Sequence, residues 1–257
     1  MKCLADKVAV VLGAAGAGNM GQVIARRLAE EGAKVMVAGR HEAPLKELAA
    51  EIDGAFALCD ITRKQDVESL VDTTISRFGK LDIGINAAGR GVMRPFVETT
   101  PQELADLVAI QFTGPFQFFQ ALVRGMSQGG SIIQISSATA TIMLDNYAAY
   151  MGTKAGIDHV IRTIANEFGE RGIKANSISP GLTDTPMTKT AFANKARLDL
   201  FRKEYPLGRL GTSQDIAAAC VWLAGDESFI TGQNLQINGG LTLRRNPRAK
   251  ELMAVPT

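Results

Sequence analysis

The chain is short of cysteine, of net charge and of long apolar runs, and each shortage removes a class of protein. Cys3, Cys59 and Cys220 are odd in number, widely separated, and without a CxxC pair or a nearby histidine pair. Neither a disulfide framework nor a zinc site is supported, and a reducing cytoplasm is the expected compartment. Twenty-eight basic residues against 26 acidic ones leave +2, too little for a broad field toward nucleic acid or an anionic membrane. The opening MKCLADKVAVVLG holds one short apolar run before a glycine loop, with no signal-peptide core and no apolar stretch of about 20 residues to span a bilayer. Repeats, linkers and low-complexity segments are absent as well. What remains is 257 residues at 46% hydrophobic, enough for one large core, and a single domain over 1–257 is expected.

Short β-branched runs alternate with longer helical patterns: KVAVVL at 7–12, VMVA at 35–38, FALC at 56–59, LDIGI at 81–85, SIIQIS at 131–136 and KANSIS at 174–179. Strands separated by helices of this length must run parallel, with helices on both faces, which predicts an α/β doubly wound Rossmann-type sheet. Glycines at 32, 79 and 172 sit where helix ends are expected. The stretch after Pro180 and Gly181 breaks this rhythm and reads as a lid over 187–205, while the basic tail at 244–257 reads as a free end or a subunit contact.

Strand KVAVVL runs into GAAGAGNMG and then into the helical QVIARRLAEEG. Small residues there let the backbone and a helix N-terminus approach a pyrophosphate. At the end of the second strand, where NAD-binding folds place an acid for the ribose 2′-OH, the sequence reads VMVAGR. Gly39 takes the acid's place and Arg40 follows, so nothing repels a 2′-phosphate and a guanidinium can pair with it. NADP(H) is favoured over NAD(H); the bland alternative is an arginine solvated at the start of the next helix.

Tyr150 and Lys154 stand four residues apart, thirteen after Ser137. Positions four apart share a helix face, so the ammonium can sit beside the phenol and favour phenolate. Free tyrosine titrates near ~10 and each unit of depression needs about 1.4 kcal/mol, so proton exchange at neutral pH asks roughly 4 kcal/mol of the surroundings. Taken singly, Tyr150 could be a packing aromatic, Lys154 a solvated lysine and Ser137 a turn cap.

From about residue 7 to residue 243 these motifs, in this order, resemble the short-chain dehydrogenase/reductase family, with 3-oxoacyl-carrier-protein reductases as the similar type. The resemblance implies a sheet of about seven strands. It implies that Gly13, Gly18, Asn19, Met20 and Gly21 form the phosphate loop, and that Asp60 and Ile61 of LCDIT lie at the adenine. Asn86, Ala87, Ala88 and Gly89 of INAAG would line the adenosine ribose. Ser137, Tyr150 and Lys154 match the catalytic triad, with Lys154 lowering the Tyr150 pKa and holding the ribose hydroxyls. In ISPGLTDTPM, Pro180 and Gly181 would bound the nicotinamide, and Leu182 and Thr185 would hold its carboxamide. No metal is needed. The reaction implied is interconversion of a ketone and a secondary alcohol by hydride transfer, on a small-molecule substrate, in a homotetramer or dimer whose C-terminal helix and last strand pack across an axis.

Three features depart from the family pattern. Gln111 in IQFTGPF stands where the family carries Asn, whose carbonyl leads a water to the lysine; Gln keeps the amide and moves it one methylene. The loop from Gly13 to Gly21 is two residues longer than usual, with Asn19 in the middle glycine position. Tyr147 lies seven residues before Lys154, a spacing that resembles divergent enoyl-acyl-carrier reductases. That activity is the in-family alternative; a non-catalytic NADP(H)-binding regulatory protein is the other. The substrate pocket is expected among RGVMRPF, ATATIMLDNY and the lid, with Met93, Ile142, Met143, Leu144 and Phe192 giving apolar walls and Arg90 and Arg94 available to an anionic group.

Overall fold

A computed structural model describes residues 2–254, apart from the side chains of Thr190 and Ala191. Seven parallel strands form one sheet: β1 (Val8–Leu12), β2 (Lys34–Gly39), β3 (Ala55–Leu58), β4 (Ile83–Asn86), β5 (Gly130–Ile135), β6 (Ile173–Ile178) and β7 (Asn234–Leu235). They lie in the order β3-β2-β1-β4-β5-β6-β7. The helices are α1 (Met20–Glu30), α2 (Glu42–Glu51), α3 (Lys64–Phe78), α4 (Pro101–Val108), α5 (Gly114–Gly125), α6 (Ala148–Phe168), α7 (Lys189–Phe192), α8 (Lys195–Lys203), α9 (Ser213–Ala224) and α10 (Ala249–Met253). The fold is therefore the expected α/β doubly wound, Rossmann-type sheet.

Alternate strand residues feed opposite cores. Ala9, Val11, Val35, Val37, Ile83 and Ile85 pack with α1, α2 and α9, whereas Val10, Leu12, Met36, Ala38 and Ile132 pack with α3, α5 and α6. The two-residue period of a strand sorts its side chains this way, and burial on both faces explains why the runs read as continuously apolar. Helix starts follow capping chemistry. Asn19 accepts from the Gln22 N–H at 3.0 Å, and Thr100 with Glu103, and Thr212 with Asp215, close capping boxes. Gly32, Gly79 and Gly172 all have positive φ at the ends of helical segments, as read from the sequence.

The chain reverses its winding between β1 and β4, paired Ala9↔Ile83 through Leu12↔Asn86. In open α/β sheets ligands bind outside the carboxyl ends of the strands at this switch point. Between α4 and α5 the helix widens to a π-turn over Ala109–Thr113, which turns Gln111 inward to 1% exposure.

Candidate active site

At the carboxyl ends of the strands lies a cleft of about 380 Å³. Its floor is built by close backbone approach. Gly13 has φ +102°, and a Cβ there would sit 2.5 Å from the Ala87 carbonyl carbon and the Ala88 nitrogen, so no other residue fits without moving the β4 loop. Asn19 explains the unusual loop: while its Oδ1 caps α1, its Nδ2 donates to the Gly13 carbonyl at 2.9 Å. The N-terminal end of α1 is thereby fixed beside a strip of bare backbone, the arrangement a pyrophosphate requires.

Gly39 is equally constrained, because a Cβ would come within 2.6 Å of the Ala15 Cβ. An acid at this position would collide with the phosphate loop. Arg40 and His41 line the same end of the cleft, both exposed, and Asp60 lies beside them. Burial raises the Asp60 carboxyl, but hydrogen bonds from the Thr62 amide and hydroxyl, at 3.0 and 2.7 Å, and the charges of Arg40 and Arg63 hold it below its ordinary value. These residues fit a dinucleotide: a Cβ-free cradle, a capped helix N-terminus and the Arg40 cation at the same end of the cleft.

Further along, Ser137, Tyr150 and Lys154 face the cleft together. Ser137 follows β5 in extended backbone, and its Oγ accepts from the Thr139 N–H at 3.2 Å and lies 2.9 Å from the Thr139 Oγ1. The serine thus caps a turn and faces the cleft at once. Tyr150 stands in the first turn of α6, and Lys154 one turn on, 4% exposed, with its Nζ 5.7 Å from the Tyr150 ring centroid and donating to the Ile135 carbonyl at 2.7 Å.

The expected effect of lysine on the phenol is not seen. Burial raises the Tyr150 pKa, Tyr147 and Asp158 add to the rise, and only the hydrogen bond with Ser137 opposes it. Lys154, over the ring face and bonded to the Ile135 carbonyl, does not outweigh the loss of water around the hydroxyl. The lysine itself is drawn down to about 8 by burial, against the pull of Asp158. Asp158, one turn beyond Lys154, accepts from Ser136 Oγ at 2.7 Å and Asn234 Nδ2 at 2.6 Å. Sequence reasoning missed it, although its i, i+4 spacing from Lys154 was available.

Gln111 also reaches the cleft. Its Nε2 donates to Thr153 Oγ1 at 2.9 Å, and Thr153 Oγ1 donates to the Tyr150 carbonyl at 2.9 Å. Its Oε1 is buried and accepts no hydrogen bond from the described residues. That oxygen and the Lys154 Nζ stand 3.1 and 3.7 Å from the point a Gly89 Cβ would occupy, so both converge beside Gly89.

Most of the expected cofactor residues line the cleft: Gly13, Asn19, Met20, Gly21, Arg40, Asp60, Ile61, Ala87, Ala88, Gly89, Pro180, Gly181 and Thr185. Gly18, Asn86 and Leu182 do not. Gly18 turns its N–H onto Gln22 Oε1 at 3.0 Å. Asn86 is fully buried beneath the loop, donating to Gln134 Oε1 at 2.8 Å and accepting from the Ala88 N–H at 3.1 Å, so it shapes the loop from below. Leu182, expected to hold a carboxamide through its backbone, has its N–H donating to the Tyr205 hydroxyl at 2.6 Å.

The expected substrate walls are looser. Met93 and Met143 are 62% and 61% exposed, Ile142 packs with Ala138, Tyr205 and Leu241, and neither these nor Leu144 and Phe192 line the cleft. Arg90 borders the cleft while paired with Asp106 at 3.3 Å, and Arg94 pairs with Glu103 on the surface at 2.7 Å. Tyr147 stacks on Tyr150 with ring centroids 4.4 Å apart, its hydroxyl against Gly91. Cys59 also borders the cleft, with burial and the nearby Asp66 and Asp60 pushing its thiol up to about 12, so it is no nucleophile at neutral pH.

A family model described as Enoyl-(Acyl carrier protein) reductase matches residues 13–242. The chain is 34% identical to the D-threitol dehydrogenase of Mycolicibacterium smegmatis over 250 residues, covering 94% of this chain and 95% of that one. It is 31% identical to the 3-oxoacyl-[acyl-carrier-protein] reductase of Vibrio cholerae, covering 93% and 98%. A gluconate 5-dehydrogenase from Burkholderia cenocepacia, solved in complex with NADP and tartrate, superposes with a TM-score of 0.89 at 28% identity, covering 94% of this chain and 97% of that one. The chain belongs to the short-chain dehydrogenase/reductase family and is an oxidoreductase.

Proposed function

We propose that the chain is an NADP(H)-dependent oxidoreductase that interconverts a ketone or 3-oxo group and a secondary alcohol. The observation that carries this reading is the joining of Ser137, Tyr150 and Lys154, in one cleft, to the glycine cradle and Arg40. When bound, the dinucleotide supplies or receives hydride at its nicotinamide ring. Tyr150 donates the proton to the carbonyl oxygen, or takes it from the alcohol, and Ser137 donates to the same oxygen as charge develops there. Burial keeps the free phenol protonated, the form that donates to a carbonyl. Lys154 holds the ribose hydroxyls and, mostly charged at neutral pH, supplies the chain's own positive charge to the site.

Gln111 ties the catalytic turn of α6 through Thr153 and presents its carbonyl oxygen beside Lys154, a positioning role. Arg40 favours NADP(H) by pairing with the 2′-phosphate, and the crowding of Gly39 against Ala15 supports that preference. We read 1–257 as one domain, with 187–205 as a substrate lid, in a cytoplasmic protein; among the described residues no helix is long and apolar enough to cross a membrane. The homotetramer reading is supported by two apolar exposures, Leu104, Val108 and Phe116 on α4 and α5, and Trp222 with Phe229 near α9 and β7. Light scattering on the eluted protein tests it: a monomeric mass would overturn it.

The test of function is a panel of ketones and keto-esters with NADPH and NADH. Turnover with NADPH, lost in Tyr150→Phe, is expected; tight NADPH binding without turnover of any member would favour a regulatory binding protein. The enoyl reductase reading is favoured by the description of the matching family model and by the seven-residue spacing from Tyr147 to Lys154. Against it, the Tyr147 hydroxyl lies at Gly91 and its ring backs Tyr150 outside the cleft lining. Activity lost in Tyr147→Phe but kept in Tyr150→Phe would reverse the assignment.

A further inference from the structure

The basic tail is docked on its own chain. Leu243, Arg244 and Arg245 are exposed, but Asn246 is 6% exposed and Pro247 is buried. Asn246 Nδ2 donates to the Met143 carbonyl at 3.1 Å. Asp145 receives the start of α10, its Oδ2 accepting from the Ala249 N–H at 2.8 Å and its Oδ1 lying 3.4 Å from Arg248 Nη1. A few residues earlier the tail grips a second segment: Arg244 Nη1 donates to the Lys203 carbonyl at 2.6 Å, and Arg245 Nη2 lies 3.4 Å from Glu204 Oε1. Arg245 is itself fixed by a two-pronged pair with Glu251 at 2.6 and 2.8 Å.

Both gripped segments lead straight to the site. The loop held by Asn246 and Asp145 continues into Tyr147, which stacks on Tyr150. The Asn146 carbonyl of that loop also accepts from the Arg94 N–H at 2.8 Å, tying in the 90–96 segment. Lys203 and Glu204 precede Tyr205, which is 2% exposed and whose hydroxyl accepts from the Leu182 N–H at 2.6 Å beside Gly181. The tail therefore joins the wall that carries the proton donor to the turn expected to bound the nicotinamide.

We infer that residues 244–249 are an intrachain clamp that fixes the separation of these two walls, with Asp145, Arg245 and Asn246 as positioning residues that decide which carbonyl substrates enter. The assignment of a carbonyl substrate rests on the function proposed above; the clamp itself does not. Exposed ion pairs such as Arg245 with Glu204 add little to global stability. Their effect is on the position of loops that a small core, Ala138, Tyr205 and Leu241, leaves weakly held. A loop freed at one end of the clamp should loosen at the other.

Hydrogen exchange read by mass spectrometry on the full chain tests this, with Asp145→Ala weakening one end and Arg245→Ala, made together with Arg244→Ala, releasing the other. Either variant should speed exchange in both 142–147 and 203–207 by about tenfold, leaving β4 unchanged. Faster exchange confined to the substituted end in both variants would overturn the clamp. Arg244 and Arg245 are surface-exposed, so their variant decides the matter should Asp145→Ala fail to fold. In kinetics, both variants should raise kcat/KM for bulky ketones relative to small ones at least threefold, mainly through KM, with the Kd for NADPH unchanged. An unaltered size profile beside coupled exchange would overturn the role in selection. A wild-type chain that turns over no ketone would defeat the proposed function, while the exchange result still decides the clamp.

Discussion

The glycine-lined end of the cleft, which we propose holds the dinucleotide, and the loop-built end proposed for the substrate are built by different physics. The first is held by close approach at bare backbone: Gly13 on the β4 loop, Gly39 against Ala15, and the Asn19 side chain joining the loop to its helix. Strands from the two large cores end directly beneath it. The second is assembled from loops around a three-residue core, tied by side-chain bonds from residues distant in the chain. Close packing tolerates no added methyl group, whereas loops held by single polar links can shift without unfolding the domain. A rigid cofactor cradle can thus serve many substrates by changing loops alone.

Substitutions at the two ends should separate this contrast, beginning with the group between them. Tyr150→Phe should lower kcat by about 10³, with NADPH affinity nearly unchanged, because it removes the proton donor and leaves the cradle intact. Stopped-flow turnover together with fluorescence titration of NADPH checks both halves of that statement.

The next effect is one of pH. The folded pKa of Lys154, about 8, lies below its ordinary 10.5, so between these values the unfolded chain binds more protons and native stability rises with pH. Burial of the charge costs stability most below pH 8, and the cost is relieved on passing above it. Unfolding of the wild type and of Lys154→Met, followed by urea titration, should show the wild type gaining on the variant by up to about 3 kcal/mol between pH 7 and 10.5. A difference independent of pH would mean that the buried amine is not drawn down.

At the cradle, Gly13→Ala should destabilise the fold by about 2 kcal/mol and weaken NADPH binding, since positive φ and the approach of Ala87 both oppose a side chain. Thermal unfolding with and without NADPH measures both. The mildest effect is expected at the cleft's outer end, where Arg40→Ala should reduce the preference for NADPH over NADH about tenfold, or about 1.4 kcal/mol. Equal loss with both cofactors would place the arginine elsewhere than on the 2′-phosphate.

Much of this molecule is legible in its sequence. The β-branched runs located six strands to within two residues, because strands buried on both faces must be apolar throughout. Gly39 and Arg40 were readable because a missing acid at a strand end is a local feature. Less legible were residues whose partners lie far away in sequence. Asn86 reads as part of a cleft motif, yet it is taken beneath the loop by Gln134, 48 residues on. The Leu182 N–H reads as free for a ligand until Tyr205, 23 residues later, accepts it. The tail, open between a free end and a subunit contact, is claimed by Met143 and Asp145 more than 100 residues earlier. The rise of the Tyr150 pKa was hidden for a related reason: helical spacing places an amine near a ring, but solvent exclusion at the hydroxyl depends on every element packed around it.

By itself, then, the order of residues determined the winding of the sheet, the glycine-rich loop and the spacing of Ser137, Tyr150 and Lys154, because these depend on periodicity and on neighbours within a turn or two. Only the tertiary structure decided which polar groups face the cleft and which are spent holding it, and how the tail binds the substrate loops. Those outcomes depend on which distant donor meets which acceptor once water is excluded, and no local pattern carries that information.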